Sequence, residues 1–232
     1  MASTKTVANA ATRASNEFKG ITLSSTDTLD FANEIYQLMG NATRFDWRLA
    51  AGTTFGTTAG TQDYANVPSD FASLHRAYIQ DDSASTNPIN PLSIYESLPK
   101  SSRRGGVYAI AVENASFRFL DVPTATRSGS GQWAILFSYW KRPKRLTATS
   151  DTFEFDDIWF ETFCKGMVAR TGSFLDDTRA GVWGGRTMQA GNIFVGTGMW
   201  GEFAAQLNNM VEQEGLASGP SVYAPTEGLL RG

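Results

Sequence analysis

Four carboxylates crowd a short stretch of this chain: Asp151, Glu154, Asp156 and Asp157. Converging on one cleft, two of them could serve as the acid and the base or nucleophile of glycoside hydrolysis, or hold a metal. The spacing also has a plainer use. Acidic residues at a helix N-terminus are explained by capping and the macrodipole, and Asp151 with Glu154 three residues on resembles a capping box. That second reading is favoured here. Just before them, Lys141, Arg142, Lys144 and Arg145 surround Pro143. Such a cluster is either a nucleic-acid, channel or interface patch, or a solvated turn. Arg103 and Arg104 pose the same choice on a smaller scale.

Little else could do chemistry. His75 is the only histidine and Cys164 the only cysteine. Chemistry built on several histidines within one chain is therefore excluded, as are an internal disulfide and a zinc-finger framework. Cys164 lies in an apolar helical pattern and reads as a buried thiol rather than a nucleophile. Gly181, Gly184, Gly185, Gly191, Gly196, Gly198 and Gly201 form neither a P-loop with its lysine nor a dinucleotide fingerprint. No GxSxG elbow occurs. The expectation is a protein that is not an enzyme and needs no cofactor or metal.

The elements that position these residues follow from periodicity. From 132 to 139, Trp133, Ile135, Phe137 and Tyr139 alternate with smaller or polar residues, a strand covering a core on one face. Pro143 ends its ladder. A helix is expected from near Phe155, with Phe155, Trp159, Phe163 and Met167 on one line, Ile158 beside them, and Phe160, Cys164 and Val168 on a second. Glu161 and Lys165 have the favourable i,i+4 order. Upstream, Phe31, Ile35, Leu38, Met39 and Ala42 mark a helix starting near Thr26. Downstream, Phe203, Leu207, Met210 and Val211 mark one that stops at Gly215. Between Ala51 and Leu120 short β-branched and aromatic stretches are punctuated by Gly, Pro, Asn and Asp, with a hairpin turn at Glu113 and Asn114.

The net charge of −3 and pI near 5.2 give no general attraction to nucleic acid. No apolar run approaches the ~20 residues that a membrane span needs, and the first residues lack a signal-peptide core, so a soluble intracellular product is expected. The fold class expected is α+β: a helical bundle formed from both chain ends, with an inserted antiparallel β-rich region and an extended C-terminal tail. The boundaries are 1–24 for a flexible N-terminal arm, 25–50 with 150–215 for the bundle, 51–149 for the insertion and 216–232 for the tail. The tail has only isolated apolar residues. Val222, Tyr223, Leu229 and Leu230 suit it to folding onto a partner.

Three segments in order carry a family likeness: Ala59-Gly60-Thr61-Gln62-Asp63-Tyr64-Ala65-Asn66-Val67-Pro68-Ser69-Asp70, then Tyr139-Trp140-Lys141-Arg142-Pro143-Lys144-Arg145-Leu146, then Asp176-Asp177-Thr178-Arg179-Ala180. In this arrangement the chain resembles the head-to-tail adaptor (connector) proteins of short-tailed bacteriophages, the tail tubular protein A-like family. The resemblance covers residues 26–216. One additional residue between Tyr64 and Pro68, and the glycine-rich run after Ala180, depart from the pattern. The resemblance implies a twelve-fold homo-oligomeric ring at the head–tail junction of the virion, made in the host bacterial cytoplasm. The ring docks under the portal protein, retains packaged DNA, carries the tail nozzle or tail tube protein and the tail fibres, and forms part of the ejection channel. Its contact with genomic DNA would be transient and non-specific, and no membrane is involved. The C-terminal segment would run along the portal. Rival readings are a tail terminator or tail-completion ring, a carbohydrate-active enzyme using Asp and Glu, and a DNA-binding regulator using residues 141–145.

Overall fold

The computed structural model describes residues 3–81, 90–124, 133–187 and 193–215. Those before Leu49 and after Arg142 form one compact unit, and those from Leu49 to Arg142 a second.

The first unit contains helices α1 (Val7–Glu17), α2 (Ser25–Ala42), α3 (Phe160–Phe174) and α4 (Gly198–Gly215). Helix α1 corrects the expectation of a flexible arm. The Thr6 hydroxyl accepts the Asn9 N–H while the Asn9 side chain accepts the Thr6 N–H at 2.9 Å, a capping box. Val7, Ala10 and Ala14 are fully buried. Their i, i+3, i+7 spacing carries an apolar stripe too thin to show, because alanine adds little hydrophobicity. Helix α3 starts five residues later than expected. Phe153 and Phe155 precede it in a non-helical strap, both buried against Tyr36 and Phe163. Trp159, Phe163 and Met167 face inward as their spacing requires, whereas Ile158 is 68% exposed.

Two glycines set how closely this unit packs. A Cβ on Gly166 would stand 2.5 Å from the Ile35 side chain and 3.0 Å from that of Phe203, so α3 rests almost backbone-first on α2 and α4. On α2, a Cβ at Gly40 would meet Pro143 at 2.2 Å.

The second unit is a β-sandwich. Its strands are β1 (Leu49–Ala51), β2 (Phe55–Gly56), β3 (Asp63–Tyr64), β4 (Phe71–Asp81), β5 (Asn90–Pro91), β6 (Ser93–Ile94), β7 (Arg104–Gly105), β8 (Ala109–Glu113), β9 (Ser116–Phe119), β10 (Val122–Pro123) and β11 (Trp133–Lys141). One sheet has the order β1-β11-β4-β5, with β2 also on β11, and the other has β3-β9-β8-β6. Phe117 and Phe137 meet between the sheets with centroids 4.7 Å apart, and Phe55 stacks on Phe117 at 5.4 Å. The β8–β9 turn is Asn114–Ala115, both at positive φ, rather than Glu113–Asn114; Glu113 pairs with Ser116 inside the ladder.

The architecture differs from the expected bundle plus antiparallel insertion, and is mixed α/β. In the first unit, β12 (Trp183–Thr187) and β13 (Ile193–Gly196) form a hairpin against α4, and Thr6 bridges to Thr152. Trp183 stacks on Phe194 at 5.8 Å and lies 5.5 Å from Phe203 of α4, and Gly184, Gly185 and Gly196 of the glycine-rich run lie in sheet. In the second unit β6–β8 and β10–β7 pair in parallel. Strands of two to five residues carry too few alternations to be read from sequence. The β-rich character of the middle of the chain does hold.

Candidate assembly surfaces

The carboxylates from 151 to 157 diverge, each tied to a separate structural partner. Asp151 accepts the N–H groups of Thr147 and Ala148 at 2.7 and 3.0 Å, and these bonds hold its pKa below the usual value. It closes a turn instead of capping α3. Glu154 accepts the Tyr36 hydroxyl at 3.1 Å. Asp156 caps a 3-10 turn, Asp157–Trp159, through the Ile158 N–H. Asp157 binds the Ser3 hydroxyl, and the Thr4 hydroxyl at 2.8 Å, which lowers its pKa and pins the start of the chain. The arrangement joins segments; it does not frame a shared substrate.

Helix faces are joined by the same means. Glu161 pairs with Arg13 of α1, and Lys165 with Glu202 of α4 at 2.6 Å, so the intrahelical Glu161–Lys165 pair expected from spacing gives way to two ties between helices. Arg170 of α3 reaches Glu34 of α2 at 2.6 Å. Cys164 is buried, and burial pushes its thiol up to about 11, the inert state expected for it. His75 is a bulge residue of β4, since Ser138 pairs with Arg76 and Tyr139 with Leu74; its ring packs edge-on against Trp140 at 5.2 Å.

Of the basic cluster, Lys141 ends β11 and Arg142 follows it in the sandwich unit, with Arg142 exposed. Lys144 and Arg145 belong to the helical unit and are both exposed, flanked by buried Pro143 and Leu146. Val222, Tyr223, Leu229 and Leu230 lie outside the described residues.

The first two segments noted in sequence meet within the sandwich. Asp70 accepts the Tyr139 hydroxyl at 2.8 Å, and the Asp70 carbonyl accepts the Arg142 N–H at 2.6 Å. Tyr64 also turns inward, its hydroxyl accepting the Thr58 N–H at 2.8 Å and lying 2.8 Å from the Thr61 carbonyl oxygen. Past Pro143, Asn33 of α2 holds Leu146 by both backbone groups, at 2.8 and 2.9 Å. In the third segment, Arg179 forks onto Asp177, at 2.8 Å for its closest contact. The SU10 adaptor protein family model matches residues 5–216.

The chain belongs to that family. It is thus a head-to-tail adaptor of the kind found in SU10-like short-tailed phages, a virion structural protein that associates with other head or tail components. The match begins beside the Thr6 cap, so α1 is part of the family's body and not an appendage to it. No curated protein matches the sequence. Among the described residues there is no group of His, Cys, Asp and Glu able to hold a metal, and no helix long and apolar enough to cross a membrane.

Sequence reasoning missed the outward apolar groups that an assembling protein offers. Phe174 is 50% exposed at the end of α3, Tyr108 66% before β8, and Val182, Ile193 and Val195 all face outward around the β12–β13 hairpin. Only the absence of a covering element among the described residues shows them. Periodicity by itself places Ile158 in the core.

Proposed function

We propose that the chain forms a homo-oligomeric ring, twelve-fold as in the adaptors it resembles, seated between the portal protein and the tail. It docks under the portal, retains packaged DNA, carries the tail nozzle or tail tube protein with the fibres, and leaves an axial path for ejection. The observation that carries this reading is the family match over nearly the whole chain. Two physical features support it. A net charge of −3 suits a channel through which a polyanion slides, because each phosphate neutralised by Lys or Arg would add binding strength. Lys141, Arg142, Lys144 and Arg145 would then make only transient, non-specific contacts with the genome. Apolar groups that face outward, such as Phe174 and Val182, suit the heterologous contacts that close a ring.

The tail supplies the docking segment, with Val222, Tyr223, Leu229 and Leu230 as its apolar contacts on the portal. Electron microscopy of the purified chain mixed with its portal tests the whole reading. A ring stacked on the portal is the expected result. A ring that ignores the portal and caps a tail tube would assign the chain to tail termination or completion.

A further inference from the structure

A groove of about 480 Å³ opens on the helical unit where α1 and α3 end. Its floor is apolar: Phe18, only 6% exposed, Ile21, 39% exposed, and Leu175. Its rim alternates in charge. Glu17 and Lys19 flank Phe18, while Arg179, its guanidinium 5.7 Å from the Phe18 ring centroid, binds Asp177 at 2.8 Å and Glu17 at 3.6 Å. The half-exposed Phe174 adjoins Leu175. Of the carboxylate and motif contacts described above, the Arg179–Asp177 pair alone lies on this groove, at its rim.

We propose that in the free protein the groove holds the chain's own C-terminal segment, Glu227–Gly232. Charge and shape favour this occupant. Leu229 and Leu230 are the only adjacent pair of large aliphatic residues in the tail, and Glu227 and Arg231 lie four apart on either side of them. The groove offers a counterpart for each: apolar Phe18, Ile21 and Leu175 for the leucines, Lys19 for Glu227, and the carboxylates of Glu17 and Asp177 for Arg231. Reach allows it as well. Helix α4 starts beside the groove, where the Met199 N–H donates to the Arg179 carbonyl at 3.0 Å. It ends where Glu214 accepts the Trp159 indole N–H. Its 18 residues put about 27 Å between the groove and the point where the tail departs. Residues 216–229, extended, cover up to about 46 Å, so the leucines return to the groove with slack. A groove on the same chain also sees the tail at an effective concentration in the millimolar range, which a weak contact needs. The leucines parked there are the ones assigned above to the portal, so docking on the portal would draw them from the groove.

The test uses the full chain without portal. Ile21→Cys combined with Leu230→Cys is compared with Ile158→Cys combined with Leu230→Cys, since Ile158 is the exposed apolar residue near the tail's point of departure. Oxidation should close the Ile21 pair within one chain at least about tenfold faster than the Ile158 pair. Lys19→Glu should abolish that preference, and Glu227→Lys in the same chain should restore it. Equal rates for the two pairs would overturn the proposal. So would disulfide-linked dimers formed through the Ile21→Cys thiol, which would give the groove to a second copy. Hydrogen exchange of residues 17–21 on chains without added cysteines offers a check that needs no cross-link: Leu229→Asp with Leu230→Asp should speed exchange there, and an unchanged rate would equally overturn it. Failure of the portal experiment would leave this result untouched, because no portal is present.

Discussion

Asp70 and Tyr139 are joined through a 2.8 Å hydrogen bond from the phenol to the carboxylate, and the Asp70 carbonyl adds a second tie to the Arg142 N–H. Together they fix the end of the long β4–β11 pairing. Desolvation first, and then the bond to Asp70, push the Tyr139 phenol up to about 12. Tyr36 makes the corresponding tie in the helical unit, donating to Glu154 and accepting the Glu154 N–H at 3.1 Å.

The two tyrosines differ in what their loss leaves behind. Asp70 is exposed and returns to water, so Tyr139→Phe should cost about 1 kcal/mol. Tyr36 is fully buried and its hydroxyl both donates to and accepts from Glu154, so Tyr36→Phe should cost about 1–3 kcal/mol. Urea unfolding of both variants checks the order; equal costs would contradict it.

Trp159→Ala should cost about 3–5 kcal/mol through the cavity left in the core where the 3-10 turn before α3 is tied to α4. The indole is 7% exposed and its N–H is bound to Glu214, so both packing and a hydrogen bond go. Wild-type thermal stability in that variant would mean that the indole is not packed in the core.

Glu214 and Asp157 should pull stability in opposite directions with pH. Desolvation raises the Glu214 pKa above its ordinary 4.5, so the folded state holds the proton more tightly than the unfolded one. The destabilisation is complete above the raised pKa and vanishes below about 4.5. Glu214→Gln, which keeps an acceptor for Trp159, should therefore stabilise at neutral pH and lose that advantage by about pH 4. Bonds from Ser3 and Thr4 lower the Asp157 pKa below its ordinary 3.8. Its contribution is present above 3.8 and lost as pH falls through the lowered value. Asp157→Asn should therefore destabilise at neutral pH and match the wild type in strong acid. Melting temperatures from neutral pH down into strong acid read both slopes.

Deletion of residues 216–232 should leave a folded protein, because the tail carries no core pattern, and should abolish docking on the portal. Circular dichroism with co-sedimentation against portal rings measures the two effects. A truncated chain that aggregates would show that the tail packs on the fold more extensively than through one groove.

Long, strongly periodic segments were legible in the sequence. The inward faces of α2 and α4, the alternation of β11 and the buried thiol at Cys164 all follow from spacing, since apolar residues at 3.6 or 2.0 intervals have one way to leave water. The ordered motifs around Tyr64, Asp70, Tyr139 and Pro143 were enough to identify the adaptor family. Tertiary structure alone decided the rest. Helix α1 exists because Val7, Ala10 and Ala14 find a surface to bury against, and the glycine-rich hairpin is sheet because Trp183 and Phe194 can cover Phe203. Glu161 and Lys165 chose partners on other helices, and the four clustered carboxylates went to four separate tasks. Local propensity is weak at each of these places. The decisive free energy came from apolar burial between segments far apart along the chain, such as Tyr36 with Phe153 and Trp183 with Phe203, which local spacing does not encode.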